Sequence, residues 1–135
     1  MSRFTIAAML VAALAAAGCS NNTTTTPTTT TPTPVTDTFT GTLTRNGASS
    51  FAFSVSAAGA VYATLTSVAD STTAVGLSLG TWNGTSCSTV IANDAALQGT
   101  TVTGSVTALG TLCARVYDVG KVGDPLDYQI TVVHP

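Results

Sequence analysis

From Asp37 onward, apolar and polar residues alternate in short runs separated by clusters of Gly, Asn and Ser. Phe39, Gly41 and Leu43 share one parity in TFTGTLT, and Phe51, Phe53 and Val55 do so in FAFSV. Val61, Ala63 and Leu65 follow in VYATLT, then Val75, Leu77 and Leu79 in VGLSLGTW. TVIA is a short apolar run, and TTVTGSVT carries Val102 and Val106. Leu112, Ala114 and Val116 alternate in TLCARVY, and Tyr128, Ile130 and Val132 in YQITVV. Period two puts successive side chains on opposite faces, so each run predicts a strand with one buried and one wet face. No window holds a helical period, apart from a single helical turn allowed by ANDAALQG, Ala92 to Gly99. About eight short strands without helices predict an all-β fold, two antiparallel sheets packed as a β-sandwich. Arg45-Asn46-Gly47 supplies a turn between the first two strands, because Asn-Gly readily takes positive φ.

The first 36 residues read differently. Arg3 precedes an almost uninterrupted apolar run, Phe4 to Ala17, and small residues then lead to Cys19. This is the layout of a secretory signal, too short and wrongly flanked for a spanning helix. Residues 20–36 contain ten Thr, three Pro and no charge. Such a segment cannot offset its ordering entropy by burial. Proline keeps it extended at about 3.1 Å per residue, a reach of roughly 50 Å. A bare spacer is the simpler reading, and a Thr/Pro run also suits an O-glycosylated stalk. The predicted organisation is a signal segment over 1–18, Cys19 and a disordered Thr/Pro linker over 19–36, and one domain over 37–135.

Composition narrows the functional classes. The chain has four basic and six acidic residues, and none of the acids is Glu. Without Arg3 the balance is three against six, a formal charge of −3. No basic patch exists to neutralise phosphates, so nucleic acid is not expected as a partner. The surface must instead be built from Thr, Ser, Asn and Gly. Three cysteines become a pair once Cys19 is set aside, and Cys87 and Cys113 in an exported domain are expected to form a disulfide. Cys113 falls on the outward parity of its strand, so the bridge should pin the loop NGTSCST onto the outside of a sheet. No C-x-x-C supports a redox or metal pair.

Candidate chemistry is sparse. A Ser-His-Asp triad would need His134, the single histidine, which is penultimate and expected to fray or cap the last strand. No G-x-S-x-G accompanies it. The six Asp are expected at turns, where Asp commonly bonds its own backbone. Asp118, Asp124 and Asp127 surround one loop, and three carboxylates with backbone carbonyls form a calcium donor set. Lys121 in the same loop opposes this, and a solvated turn is the stronger reading. Trp82 beside Tyr62 and Tyr117 would make a stacking platform for sugar rings; the plainer role of Trp82 is to cover the loop pinned by Cys87. Asn83-Gly84-Thr85 matches the N-glycosylation pattern, a three-residue match that carries little weight alone. No catalytic or cofactor motif is present, and an enzyme is not expected.

Two resemblances add to this. Ala16-Ala17-Gly18-Cys19 resembles the lipobox of bacterial lipoproteins, with Ala16 where Leu is more usual. It implies cleavage before Cys19 and acylation of its thiol and new amino terminus. Two or more acyl chains give stable membrane anchoring where one is marginal. Ser20 in place of Asp implies, by the sorting rule of many Gram-negative lipoproteins, the outer membrane. FAFSVSAAGAVYATLTS and GTLCARVYDVGKVGDPLDYQITVVHP resemble the bacterial pre-peptidase C-terminal domain. That resemblance covers most of residues 37–135 and implies a jelly-roll-like sandwich, with a departure at the cysteine loop in residues 81–97. The expected protein is a non-enzymatic, lipid-anchored envelope protein displaying a disulfide-bonded sandwich as a structural or adhesive surface. The alternative is a small carbohydrate-binding module.

Overall fold

The alternation resolves into eight strands: β1 (Val35–Leu43), β2 (Ala48–Val55), β3 (Gly59–Val68), β4 (Val75–Trp82), β5 (Cys87–Ala96), β6 (Thr101–Val106), β7 (Gly110–Tyr117) and β8 (Leu126–His134). The computed structural model describes residues 31–135 together with Thr25, Thr26, Thr28 and Thr30. The expected signal segment, Cys19 and linker residues 20–24, 27 and 29 lie outside the described residues. β1 begins at Val35, so the sandwich takes in two residues assigned above to the linker.

The strands form two antiparallel sheets. Sheet A has the order β1-β8-β3-β6 and sheet B the order β2-β7-β4-β5. This is a jelly roll: only β4 and β5 are joined as a hairpin within one sheet, and every other connection crosses between sheets. The Asn46 turn is therefore a corner, with Asn46 at φ 56° and the Gly47 N–H bonded to the Thr44 carbonyl at 2.8 Å. It carries the chain from sheet A into sheet B. β7 and β8 likewise lie in opposite sheets.

The residues of inward parity form the core. Leu43, Phe53, Val55, Val61, Ala63, Leu65, Val75, Leu77, Ala114, Val116, Tyr128, Ile130 and Val132 belong to one buried cluster. Gly41 belongs to the same series for a steric reason: its register partner Tyr128 lies across it, and a methyl there would sit 2.6 Å from the Tyr128 hydroxyl oxygen. At the side where edge strands β1 and β2 face each other, Phe39 stacks on Phe51 with centroids 4.9 Å apart. Tyr128 meets Phe51 edge-on, and the aromatic trio closes that side.

The opposite side, between edge strands β5 and β6, is open. It contains an apolar cleft of about 240 Å³ lined by Val61, Leu79, Val90, Ile91, Val106 and Leu112. TVIA forms part of a strand, as expected. It lies in edge strand β5, where Thr89 pairs with Gly80 and Ile91 with Leu79, which leaves Val90 as the extra residue of a bulge. A second irregularity lies between Val75 and Leu77. Bulges twist an edge strand away from further pairing. The helical turn allowed at Ala92–Gly99 does not form: β5 continues to Ala96, and a turn follows in which the Thr100 N–H bonds the Leu97 carbonyl.

The outer faces show how an almost ion-free surface is built. On sheet A, Thr64 pairs with Thr101 at 2.8 Å and Thr66 with Thr131 at 2.7 Å, hydroxyl to hydroxyl across neighbouring strands. On sheet B, β4 presents Gly76, Ser78 and Gly80 outward, and neighbours roof this bare backbone. Tyr117 crosses over Gly76, where a methyl would lie 2.5 Å from its ring carbon Cδ2, and its hydroxyl donates to Asp94 on β5. The Arg115 guanidinium sits 5.2 Å from the Tyr117 ring centroid. Ser78 is fully buried and pairs with Thr89 at 3.4 Å.

The disulfide completes the roof. Cys87 and Cys113 are bridged, with Cα atoms 5.7 Å apart. Their strands are second neighbours across β4, a separation of roughly 9.5 Å in a flat sheet. The start of β5 therefore rides up over β4 at Gly80, where a methyl would lie 2.7 Å from the Ser88 carbonyl carbon and 3.0 Å from Thr89 Cα. Cys113 has the outward parity expected of it, yet it is fully buried beneath this fold-over.

Candidate functional site

In this up-and-down chain path, the turns after β1, β3, β5 and β7 lie at one end, called here the far end. Val35, where the linker joins, lies at the other, with the turns after β2, β4 and β6 and with the end of β8. Charge follows that division. Among the described residues Arg45, Asp70, Asp118, Lys121 and Asp124 lie in far-end loops, and Asp94, Arg115 and Asp127 in the far halves of their strands. Asp37 alone lies in the near half.

Asp118 organises the far end. Its Oδ1 accepts the N–H groups of Gly120, Lys121 and Val122 at 2.8, 2.9 and 3.0 Å, and its Oδ2 accepts the Asn46 N–H at 2.8 Å. The Asp118 N–H in turn donates to the Gly47 carbonyl at 2.9 Å. One carboxylate thus fixes the β7–β8 loop and ties it to the β1–β2 corner. Donation from Asn46 and then Val122, with Lys121 and Gly120 adding, holds its pKa down at about 2. Asp70 does the same for the β3–β4 loop, accepting the Thr72 hydroxyl, the Thr73 hydroxyl and the Thr72 N–H at 2.6, 2.6 and 2.9 Å. These donors, the Thr72 hydroxyl foremost, hold it at about 2 as well.

Both shifts are depressions. Each carboxylate contributes stability that is fully present above the unfolded value of 3.8 and is lost as pH falls through about 2. The thermal midpoint should therefore be flat from neutrality to about pH 4 and decline toward pH 2. Asp118→Asn should lower the midpoint at neutral pH and flatten the acid decline. An acid decline of the same size in Asp118→Asn and Asp70→Asn would show that these loops do not carry it.

Around these loops lie three shallow polar hollows. One of about 290 Å³ is lined by Arg45, Asn46, Asp118 and Lys121. A second, of about 360 Å³, is lined by Asp70, Thr73, Lys121 and Asp124. The third, about 490 Å³, lies on the outer face of sheet A among Thr40, Thr42, Ser67, Asp127 and Gln129. Asp127 there accepts the Thr42 hydroxyl at 2.5 Å. The far end thus offers hydroxyls, amides and charges of both signs on a framework fixed by its own carboxylates.

The calcium triad does not assemble. Asp118 is committed to four backbone donors, Asp127 to Thr42, and Asp118 and Asp124 line different hollows with Lys121 between them. Among the described residues no three His, Cys, Asp or Glu side chains gather around a point.

Three Asp lie in strands, not at turns: Asp37 in β1, Asp94 in β5 and Asp127 in β8. Each has a side-chain partner there, respectively His134, Tyr117 and Thr42. His134 does not fray. It is buried against the Phe53 ring, its Nε2 is 3.1 Å from Asp37 Oδ2, and its Nδ1 is 3.2 Å from the Pro135 main-chain oxygen. With both ring nitrogens engaged, it has no free position from which to activate a nucleophile.

The aromatic platform is likewise dispersed. Tyr62 lies on the outer face of sheet A, and Trp82 and Tyr117 on that of sheet B. Tyr117 faces Gly76 while Trp82 ends the same strand, six residues or roughly 20 Å away. The Tyr117 ring is covered by Arg115 and lies over Gly76; burial first, and then its bond to Asp94, pushes its pKa up to about 12. Trp82 is the register partner of Cys87 and half-buried beside the bridge. The Asn83 side chain builds the β4–β5 turn, its Oδ1 accepting the Thr85 and Ser86 N–H groups at 2.9 and 2.8 Å.

Asp70 was legible in principle, because Asp-Ser-Thr-Thr places hydroxyls two and three residues after an Asp, the setting of an Asx turn. No sequence signal joins Asp37 to His134 across 97 residues. The chain matches no model of a known protein family and no curated protein sequence.

Proposed function

We propose that this is a non-enzymatic, lipid-anchored protein of the bacterial cell envelope. Cys19 carries the acyl chains, the Thr/Pro run tethers the domain to them, and the sandwich presents its far end as a structural or adhesive binding surface. The observation that carries this reading is the charge division. Eight of the nine Asp, Arg and Lys residues in the described part lie in the half remote from Val35, where the linker joins. A domain tethered at one end and meeting a polar partner at the other needs its recognition groups there. The Asp118 and Asp70 networks support the same reading, because fixed loops lose less entropy on binding.

Exposure of cells to an alkyne fatty acid should label the full-length protein, and Cys19→Ser should abolish the label and leave an unprocessed precursor. Persistent labelling of Cys19→Ser would sink the anchor. The outer membrane is the expected destination, checked by density separation of the envelope.

A further inference from the structure

The half of the sandwich nearest the linker has a composition that display at the far end does not use. Among the described residues six large apolar side chains are exposed, and five are in that half or at its border. Leu109, in the β6–β7 turn, is 76% exposed and Val90, on the β5 bulge, 74%. Ile91, Tyr62 and Val35 are 42%, 43% and 45% exposed, and only Leu97 lies at the far end. Trp82 closes β4 at the near end. The apolar cleft between β5 and β6 opens in the same region, between Val90 and Val106. Asp37, the one acid there, is paired with His134.

We infer that this near corner, formed by Val90 and Ile91 at the β5–β6 cleft, Leu109 in the β6–β7 turn and Trp82 at the end of β4, is a lipid-contact surface that seats the sandwich on the bilayer to which it is tethered. The inference rests on the anchor reading above. Three observations favour a bilayer as the occupant. The chain enters the domain at this end, 16 residues after Cys19, so the membrane is the one surface permanently within reach. No charged side chain lines the β5–β6 cleft, and Asp37, the one acid of the near half, lies on β1 at the opposite edge of the sandwich, so lipid approach at this corner desolvates no ion. Trp82, half-buried at the near end of β4, suits the headgroup boundary, where an aromatic ring has one apolar and one wet side. The free edges of β5 and β6 limit the depth, because unpaired N–H and C=O groups require water. Contact therefore stops at the headgroup–acyl boundary, about 5–10 Å deep. It does not depend on anionic lipid or on salt, since no cation contributes.

Trp82 is the single tryptophan of the chain, so its emission reports this corner without a label. The full chain in its fatty-acylated form is reconstituted in phosphatidylcholine vesicles whose acyl chains are brominated near the headgroup, and the vesicles are floated. Floated protein should show roughly two-fold quenching of Trp82 at low and at high salt. Leu109→Asp and Val90→Asp should still float and should lose the quenching, while Leu97→Asp at the far end should keep it. Both near-end residues are exposed, so these variants remove no core contact. Flotation without quenching would overturn the contact and leave the anchor standing. A chain that does not float would overturn both. Quenching that survives Leu109→Asp and Val90→Asp together would also overturn the assignment of this corner.

Discussion

Replacing Cys87 and Cys113 together by alanine should lower the unfolding free energy of the sandwich by about 3.5 kcal/mol, the chain-entropy value for a closed loop of this length. The bridge joins residues 26 apart. For a domain of this size the loss corresponds to a fall in thermal midpoint of roughly 14–28 °C. The double alanine variant is the cleaner test. A serine at position 113, fully buried beneath the start of β5, would add the cost of an unsatisfied hydroxyl. Urea unfolding of the oxidised protein and of the variant measures the difference directly. A difference below about 1 kcal/mol would mean that the unfolded chain without the bridge already keeps the two segments close. Intact mass under non-reducing conditions should fall two hydrogens short of the reduced chain, and two free thiols would exclude the bridge.

The bridge and the core were legible in the sequence for different reasons. Val61, Ala63 and Leu65, or Tyr128, Ile130 and Val132, announce a buried face because period two leaves no other consistent side for them. The cysteine pair emerged from counting alone. TVIA marks a strand but not its faces, because the three consecutive apolar residues Val90, Ile91 and Ala92 carry no alternation. The face of each is set by the bulge at Val90 and by the position of β5 at a sheet edge, neither of which is a local property. Sheet order was similarly hidden: only the β4–β5 neighbours are joined by a hairpin, and loops that cross between sheets leave no composition signal. At the far end, turn chemistry could have located Asp70. It could not have shown that Asp118 reaches Asn46, 72 residues away. Asp seldom lies in strands, so turns are the expected place for all six. The three that do are tolerated because each meets a donor from another strand: His134, Tyr117 or Thr42.

Gly80 should be the least replaceable glycine of the sandwich, more so than those at positive φ. Gly84, Gly99 and Gly120 occupy turns with nothing within 4 Å of a would-be methyl, so alanine there carries only backbone strain. At Gly80 the obstacle is the backbone of β5 itself, with the Ser88 carbonyl carbon 2.7 Å from the position a methyl would take. A side chain could rotate away, but a hydrogen-bonded strand cannot. Gly80→Ala must lift the start of β5 off β4, and inserted methyl groups in packed sites cost about 1–3 kcal/mol, occasionally more. The upper end is expected because the lift also draws Cys87 away from Cys113, whose Cα atoms lie only 5.7 Å apart through this close approach. Gly80→Ala and the double alanine variant should then be non-additive. Once the bridge is absent β5 is free to rise, and the methyl should cost less by about 1 kcal/mol or more, within the range of coupled neighbours. Gly110→Ala, with open space around it, serves as the control that adds independently. Full additivity of Gly80→Ala with the cysteine replacements would show that the fold-over of β5 is held by something other than the bridge. Reduced additivity would identify the missing side chain at Gly80 as the feature that lets second-neighbour strands be joined.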